Sequence, residues 1–364
     1  MMKRKWTYGA LLALLTALFS CVKTEPDRRL SDQPICFNQP VIQTPVKGVI
    51  TGTSYPTSLS FDAWGYYSSK NSVDPSSAGV NGIEYFSDAP CTWQGTYWIP
   101  TYTYLVGAIP TTGYYYWHSD MGYMTFQALS PHHDSGDELW LSHDWNTGFQ
   151  FTGYSVDDTP GSQEDLMYTH FTTPTQRSSY GVNDGVDLIF YHALSAVQFR
   201  FKEAADYTGS DAITITSVQV THAYKTGDFA ENKTPGTLNA AYSASPAWTG
   251  HSTEQSYTLY SGSKTLEWSA GAAVVASLGT TLLAIPQHLN HGDSQVSVVI
   301  GYNLGSDAKT VTATLFGQKS GGVAVNSWEM GKCYTYTVTM GREKITFTPS
   351  TDNWVHDENW IPIG

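Results

Sequence analysis

The densest group of side chains that could bind a metal lies in the middle of the sequence. Histidine and aspartate are common zinc ligands, and this stretch holds His118, Asp120, His132, His133, Asp134, Asp137 and His143. Adjacent histidines on a strand point to opposite faces, so they share one site only where a loop bends the chain. Pro131 predicts such a loop. We favour a solvated polar loop here and expect no metal and no cofactor.

Catalytic patterns are sparse. The sequence contains no phosphate-binding loop, dinucleotide fingerprint, His-Glu-x-x-His or Gly-x-Ser-x-Gly element. Ser294 in Gly-Asp-Ser is typical of a turn. Paired carboxylates for glycoside hydrolysis stay open as an alternative, because their separation is invisible in a sequence; the acidic residues concerned are Asp165, Asp187 and Glu343. We therefore predict a chain that is not an enzyme.

Cysteines and tryptophans give two further alternatives. Cys36, Cys91 and Cys333 show no Cys-x-x-Cys spacing, so a metal cluster is unsupported and buried free thiols are favoured. At most one disulfide is possible among them, with its pairing undetermined. Trp140, Trp145 and Trp248 are able to stack on sugars, but aromatic residues near strands more often belong to the core.

The composition indicates an exported β protein. The chain has 364 residues, of which 14% are charged and 14% aromatic, and its net charge is −13. A nucleic-acid partner is excluded because no basic stripe is present to neutralise phosphates. Abundant tyrosine, threonine, serine and glycine favour strands and turns. The length predicts about two domains.

Short apolar runs with two-residue periodicity predict an all-β fold of antiparallel sandwiches. In Ala196–Lys202 the apolar set is Val197, Phe199 and Phe201; in the run from Ile213 it is Ile213, Ile215 and then, after a slip, Val218 and Val220. Residues 269–276 are the one helix candidate. A turn-rich stretch at 172–184 predicts a boundary, giving an N-terminal domain over 35–180 and a C-terminal domain over 181–364.

The N-terminus has the pattern of an export signal. Lys3, Arg4 and Lys5 precede an apolar run too short to span a bilayer as a helix, so residues 1–20 are predicted to be a cleaved signal peptide. Leu18-Phe19-Ser20-Cys21 resembles the lipobox of bacterial lipoproteins, in which the cysteine thiol is acylated. An ordinary signal with an incidental cysteine is the alternative. Residues 21–34 then form a polar, lipid-anchored tether.

Seven sequence blocks, taken in order, resemble the fimbrillin family, the subunits of type V pili. The most specific is Leu188–Phe199, similar to a strand of the form F-x-H-A-L-S-x-V-x-F that opens the second domain in the family. The others are Tyr115–Trp117 with Tyr123–Pro131, Asp165–Tyr168, Leu283–Gln287, Gly331–Tyr336, Lys344–Phe347 and Trp354. Within the main block, His192 is expected to be a structural histidine.

The resemblance implies two transthyretin-like β-sandwich domains with Greek-key-like connections and assembly by donor-strand exchange. A lipoprotein precursor, with palmitate or another acyl chain on Cys21, would reach the outer membrane. There a trypsin-like protease would remove the first strand, and a strand of another pilus subunit would fill the groove. The resemblance thus predicts a fimbrial location, adhesion, and partnership with other subunits, the protease and membrane lipid.

Residues 35–46 are the candidate exchanged strand. Ile35, Phe37 and Val41 share one parity, and Pro40 and Pro45 lack amide donors, so we expect an edge strand. Lys47 is the single basic residue between Leu30 and Ser69, and cleavage after it would release this strand; an ordinary turn lysine is the alternative. The tail after Pro349 is a possible donor strand. A non-polymerising surface lipoprotein that binds glycans or host proteins is the alternative function.

Overall fold

The structure is a computed structural model, and nearly all of the chain that it describes is β-strand. It describes residues 34–43, 53–68, 82–117, 123–133, 140–172, 184–205, 207, 210–233, 245–269, 272–320, 322–341 and 344–353. No helix in these ranges is long and apolar enough to cross a membrane. The predicted all-β fold class is confirmed, whereas the transthyretin-like topology and the Greek-key-like connections stay predictions.

The described residues form twenty-six strands and one 3-10 turn at Pro160–Ser162. In chain order the strands are β1 Val41–Gln43, β2 Thr53–Ser54, β3 Phe61–Ser68, β4 Ile83–Trp93, β5 Trp98–Val106, β6 Ile109–Tyr114, β7 Tyr123–Ser130, β8 Leu141–Asp144, β9 Gly148–Ser155, β10 Met167–Thr169, β11 Ile189–His192, β12 Ser195–Glu203, β13 Ile213–Ala230, β14 Ala247–Thr265, β15 Trp268–Ser269, β16 Ala272–Ala273, β17 Ala276–Ser277, β18 Leu282–Ala284, β19 Gln287–His288, β20 Ser297–Leu304, β21 Asp307–Thr314, β22 Gln318–Ser320, β23 Val323–Val325, β24 Ser327–Trp328, β25 Lys332–Met340 and β26 Ile345–Asn353.

Three sheets contain most of these strands. The first sheet has nine strands in the order β2-β1-β11-β10-β7-β3-β4-β5-β6. The second has the order β17-β12-β25-β26, with β18 also paired to β12. The third has the order β21-β20-β13-β9-β8, and β14 runs along the other side of β13. Three two-stranded ribbons, β15-β16, β19-β24 and β22-β23, complete the described part.

Among the described strands, pairing crosses the predicted boundary at residue 180 in three places: β1 with β11, β10 with β11, and β9 with β13. In the first sheet β1 pairs in parallel with β11, with Val41 opposite Ile189. In the third sheet β9 pairs with the C-terminal part of β13, with Phe151 opposite Phe229. The division into domains at residues 180 and 181 stays a prediction, and the sheets on either side of it share strands.

Two apolar cores lie beneath these sheets. One belongs to the first sheet and contains the fully buried rings of Phe37, Phe61, Trp98, Phe126 and Phe190. The larger core combines side chains of the second sheet with side chains of the third, and it also includes Trp64, Tyr66, Leu129 and Tyr168 of the first sheet. The two inner faces therefore pack on one another as in a β-sandwich, which buries one face of each sheet and leaves the other in water.

The two-residue periodicity read from the sequence is confirmed in both runs. Val197, Phe199 and Phe201 are buried, and Arg200 between them is exposed. In β13 the predicted slip is a shift of pairing register between Ile215 and Ser217, seen against both β14 and β20. A β-bulge at this point keeps all four apolar residues on the inward face.

The one helix candidate, residues 269–276, is not helical in the residues of this stretch that the structure describes. The described residues of this stretch belong to β15, β16 and β17, and β17 pairs with β12 through Phe201 opposite Ala276. Val274 and Val275 are β-branched, and glycine interrupts the run at 271, so helix propensity is low. Pairing of β17 with β12 therefore favours the strand conformation over a helix.

A buried polar network joins the first sheet to the third. Glu231, which is fully buried, accepts hydrogen bonds from Gln127 Nε2 at 2.8 Å and from the Phe149 amide at 2.9 Å, and its Oε1 lies 3.0 Å from His170 Nδ1. Lys233 donates to the Trp145 carbonyl at 2.7 Å, and burial lowers its pKa to about 8. Both oxygens of the Glu231 carboxyl group therefore have hydrogen-bond partners, as is usual for a buried polar group.

Substitution of two glycines in β9 tests the packing around Glu231. Gly148 has φ +69°, and a Cβ atom there would overlap Glu231 Oε2, whereas Gly153 on the same strand has φ +67° and open space around it. Gly153→Ala should cost about 1–2 kcal/mol from the left-handed backbone alone. Gly148→Ala should cost about 1–3 kcal/mol more, as overpacking does.

Urea unfolding of both variants measures the difference. Equal free energies of unfolding for the two variants would show that the approach of Gly148 to Glu231 contributes nothing.

Candidate functional site

The predicted exchanged strand lies between two other parts of the chain. We call residues 34–43 the closing segment. On one side, Phe37 exchanges backbone hydrogen bonds with Trp98, at 2.8 and 3.0 Å. On the other side, Asn38 donates to the Val186 carbonyl at 3.0 Å, and the Val186 amide donates to Cys36 at 2.9 Å. The closing segment therefore connects β5 to the residues that precede β11.

This position corrects the expectation of an edge strand. The C-terminal half of the segment, β1, has β11 on one side and β2 on the other. The Pro40 carbonyl accepts from the Tyr55 amide at 2.8 Å, so this residue is paired on the side of β2. Pro40 thus indicated that a donor is absent and did not indicate an open edge; Pro45 lies outside the described residues.

The prediction that Ile35, Phe37 and Val41 all point into the core is wrong at one residue. Ile35 and Phe37 are fully buried, as predicted, but the next buried aliphatic side chain is Ile42, while Val41 is half-buried. Residues 38–40 leave regular strand geometry, so the alternation restarts one residue later. Whether these side chains exchange between subunits stays a prediction.

A side chain of the closing segment extends its backbone pairing. The carboxamide of Asn38 donates to the Gly185 carbonyl at 2.8 Å and to Asp187 Oδ1 at 2.7 Å, and it accepts from the Gly185 amide at 3.2 Å. A Cβ atom on Gly185 would lie 2.6 Å from the Asn38 amide nitrogen, so only glycine permits this approach.

The residues predicted to be processed lie outside the described ranges. Cys21, the predicted lipid attachment site, precedes residue 34, and Lys47, the predicted cleavage site, falls in the connection between β1 and β2. Trp354 and the tail that follows it also lie outside. These assignments stay predictions.

Two of the blocks noted in the sequence meet beside the closing segment. Asp165 Oδ1 lies 2.9 Å from Nδ1 of the buried His192, and Met167 is opposite His192 where β10 pairs with β11. The next residues join the first sheet to the second: the Ala193 carbonyl accepts from Trp248 Nε1 at 2.7 Å, and Ser195 Oγ donates to the Glu329 carbonyl at 2.8 Å. His192 is therefore buried and held by a carboxylate, and its structural role stays a prediction.

The described side chains of the histidine-rich stretch contact several different partners. Asp62, which is fully buried, lies 2.5 Å from His132 Nδ1 and accepts from the His133 amide at 3.0 Å. His143 lies between Tyr66 OH and Gln127 Oε1, and burial lowers its pKa to about 3. Within the described ranges no three His, Cys, Asp or Glu side chains are placed to hold a metal ion. His118, Asp120, Asp134 and Asp137 lie outside those ranges.

The remaining chemical candidates also have structural partners. Ser294 Oγ donates to Glu254, whose Oε1 is 3.2 Å from His291 Nδ1, so the two side chains share this carboxylate, and the His291 amide donates to the Ser294 carbonyl at 2.9 Å. Trp145 and Trp248 are buried, and Trp140 packs edge-on against Phe151. The buried thiol of Cys91 has a raised pKa because burial disfavours the thiolate.

The packing of the closing segment is testable. Phe37→Ala should lower the free energy of unfolding by about 3–5 kcal/mol, because the ring packs against Phe61 and Phe126 and its loss leaves a cavity. Val41→Ala is the matched control, and it should cost no more than about 1 kcal/mol since the side chain is already partly in water.

Guanidinium unfolding followed by tryptophan fluorescence gives both values. If the Phe37 variant is as stable as the Val41 variant, the segment does not anchor the first core.

Comparison with solved structures gives the same architecture. A fimbrial protein from Bacteroides vulgatus is similar over 88% of this chain and 100% of its own, with 16% identity and a TM-score of 0.53. A proposed cell adhesion protein from Bacteroides ovatus is similar over 90% of this chain and 100% of its own, with 15% identity and a TM-score of 0.49. At 16% identity, the likeness to the Bacteroides vulgatus protein shows a shared fold and nothing about function.

Sequence comparison identifies the family. No curated protein matches the chain significantly. The family model described as fimbrillin-like matches residues 84–354, which is most of the sequence and includes the blocks around Asp165 and His192. The chain therefore belongs to the fimbrillin-like family.

Proposed function

We propose that this protein is a structural subunit of fimbriae that is made as a lipid-anchored precursor and assembles by replacement of the closing segment. Membership in the fimbrillin-like family supports a fimbrial role at the cell surface. The observation that carries the mechanism is the double pairing of the closing segment, with Trp98 on one side and Val186 on the other. Acylation of Cys21 and anchoring in the outer membrane complete the proposal.

The segment has the contacts of a replaceable strand. Its backbone is hydrogen-bonded on both sides, and each such bond contributes about 0.5–1.5 kcal/mol net. Ile35, Phe37 and Ile42 are fully buried, and burial of each side chain contributes about 1.5–3 kcal/mol. Loss of the segment would expose apolar surface between two unpaired backbone edges. A strand from another subunit with matching side chains would restore both kinds of contact.

Covalent linkage explains why replacement needs cleavage. While the segment is joined to β2 through residues 44–52, it competes for the groove as part of the same molecule. Covalent connection of this kind gives an effective concentration on the order of millimolar. A cut after Lys47 would turn it into a separate ligand, since its other end continues only to the N-terminus. A neighbouring subunit present at high local concentration can then displace it.

The polar groups noted above support a structural role, and we propose that the chain is not an enzyme. Asp165 holds His192, Glu254 accepts from Ser294, and Asp187 accepts from Asn38. Each of these carboxylates orders a loop or a strand. Adhesion, the remaining part of the proposal, is supported by the family alone.

Cleavage at Lys47 should control assembly. Limited trypsin treatment of the purified precursor should cut after Lys47 and give ladders that resist SDS. Lys47→Gln should give none, and Lys47→Arg should restore them, because trypsin recognises either basic side chain. Lys319→Gln, at an exposed lysine of the β22-β23 ribbon, is the matched control and should polymerise normally.

A competing peptide tests whether the incoming strand fills the groove of the closing segment. An excess of a peptide of residues 34–43 added after the cut should suppress the ladders. Mass spectrometry must confirm the new terminus at Gly48. Monomer that persists after a confirmed cut at Lys47 would overturn assembly by replacement.

A further inference from the structure

The hairpin of β5 and β6 projects from the first sheet. β4 pairs with β5 only through the three residues from Trp98 to Pro100. Beyond Pro100, the strand pairings within the described residues join β5 to β6 alone, from Thr101 opposite Tyr114 to Val106 opposite Ile109. Isolated two-stranded hairpins are marginally stable in water, so such an arm gains from a partner that covers it.

The tip of this arm is apolar and exposed. Leu105, Val106 and Ile109 have 66%, 57% and 70% of their surface in contact with solvent. They surround a two-residue turn in which Gly107 has φ +67°, as the first position of a type II′ turn requires. Exposed aliphatic side chains clustered at one tip indicate an interaction site.

Both faces of the tip are apolar. Residues opposite each other in an antiparallel pair lie on the same face, so Val106 and Ile109 occupy one face and Leu105 and Pro110 the other. A flat protein surface laid against the arm would cover only one of them. A surrounding apolar medium would cover both.

The arm also has the order of side chains found at a membrane interface. Next to the aliphatic tip come the threonines Thr103, Thr111 and Thr112 with Tyr104, and then Tyr102 and Tyr114. Tyrosine rings favour the headgroup level, where one end is apolar and the other wet. Two residue pairs at about 3.3 Å per residue give a depth of roughly 7 Å, which fits shallow insertion.

The charge distribution favours a lipid surface. Residues 89–117 contain no Asp, Glu, Lys, Arg or His, although the chain has a net charge of −13. A partner recognised through ion pairs would find none on this arm. The acidic remainder of the chain disfavours anionic lipids, so the surface that fits is a bilayer of zwitterionic headgroups.

The position of the N-terminus is compatible with this partner. Ile35 donates to the Tyr115 carbonyl at 2.8 Å, so the first described residues of the chain lie at the base of the arm. The residues between Cys21 and Pro34 span at most about 40 Å when extended. We propose that the tip of the β5-β6 hairpin, residues 105–110, inserts into a zwitterionic leaflet of a bilayer and gives the lipid-anchored precursor a second membrane contact.

This inference rests on the proposed anchoring only for the nearness of a membrane, so the test removes the anchor. The mature chain from residue 21 with Cys21→Ser is mixed with phosphatidylcholine–phosphatidylethanolamine vesicles and floated on a density gradient. Leu105→Asn with Ile109→Asn should lower the partition coefficient about a hundredfold, since each buried aliphatic side chain changes it about tenfold or more. The matched control is Val323→Asn, a 73% exposed valine on another ribbon, which should change nothing.

A probe at the turn separates insertion from contact with protein. Ala108→Cys carrying a nitrobenzoxadiazole dye should shift to the blue with vesicles and be quenched by spin-labelled lipid, and the same dye at Val323→Cys should not. A blue shift of the dye at both sites, or no blue shift at residue 108, would overturn the proposal. A blue shift at 108 that needs a second copy of the protein and no vesicles would assign the tip to a subunit contact instead. Failure here would leave the Lys47 experiment unaffected.

Discussion

The closing segment is the constraint on which the first sheet depends. The sheet runs from β11 through β10, β7, β3 and β4 to β5, and Phe37 joins its two sides by pairing with Trp98 and with Val186. Closure of a sheet removes exposed edges, which would otherwise present unpaired amides and carbonyls to other chains. The segment also supplies Ile35, Phe37 and Ile42 to the core beneath. Backbone pairing and apolar packing therefore depend on the same ten residues.

A second junction, at the end of β11, connects the first sheet to the rest of the chain. Asp165 holds His192 at the end of β11, and the residues that follow enter β12 in the second sheet. Backbone groups at this crossing are all used: the Ala193 amide donates to Leu166 at 2.8 Å, and the Leu194 carbonyl accepts from Gly331 at 2.9 Å. Because two halves of the chain meet through short polar and backbone contacts, small side chains such as Ala193 are needed here.

Local pattern predicted those parts of the fold that depend on one strand at a time. The alternation in β12 and the slip at Ile215 are visible in the sequence because each inward residue is apolar and each outward residue is polar. The edge assignment of the closing segment failed because pairing partners such as Trp98 and Val186 are far away in sequence. A proline shows that a donor is missing, and it does not show which neighbour would have accepted from it.

The buried network around Glu231 was invisible for a related reason. Glu231 and Lys233 look like ordinary surface charges at the end of a strand, and only the meeting of β7, β9 and β13 buries them. A weak signal exists in Gly148, whose left-handed backbone leaves room for the carboxylate. Glycines have many other uses in a chain this rich in turns, so this signal could not be separated from the rest.

The groove that the closing segment fills sets chemical demands on any replacement. Gly185 presents both its amide and its carbonyl to the Asn38 side chain, and the absence of a Cβ lets the two backbones approach. A strand that fills the groove without a carboxamide at this position would leave those groups without their present partner, and a buried unsatisfied group costs about 1–3 kcal/mol. Apolar matching at positions 35, 37 and 42 accounts for affinity. The polar position at 38 then favours one register, because a shift by one residue would place against Gly185 either the apolar Phe37 or the longer side chain of Gln39.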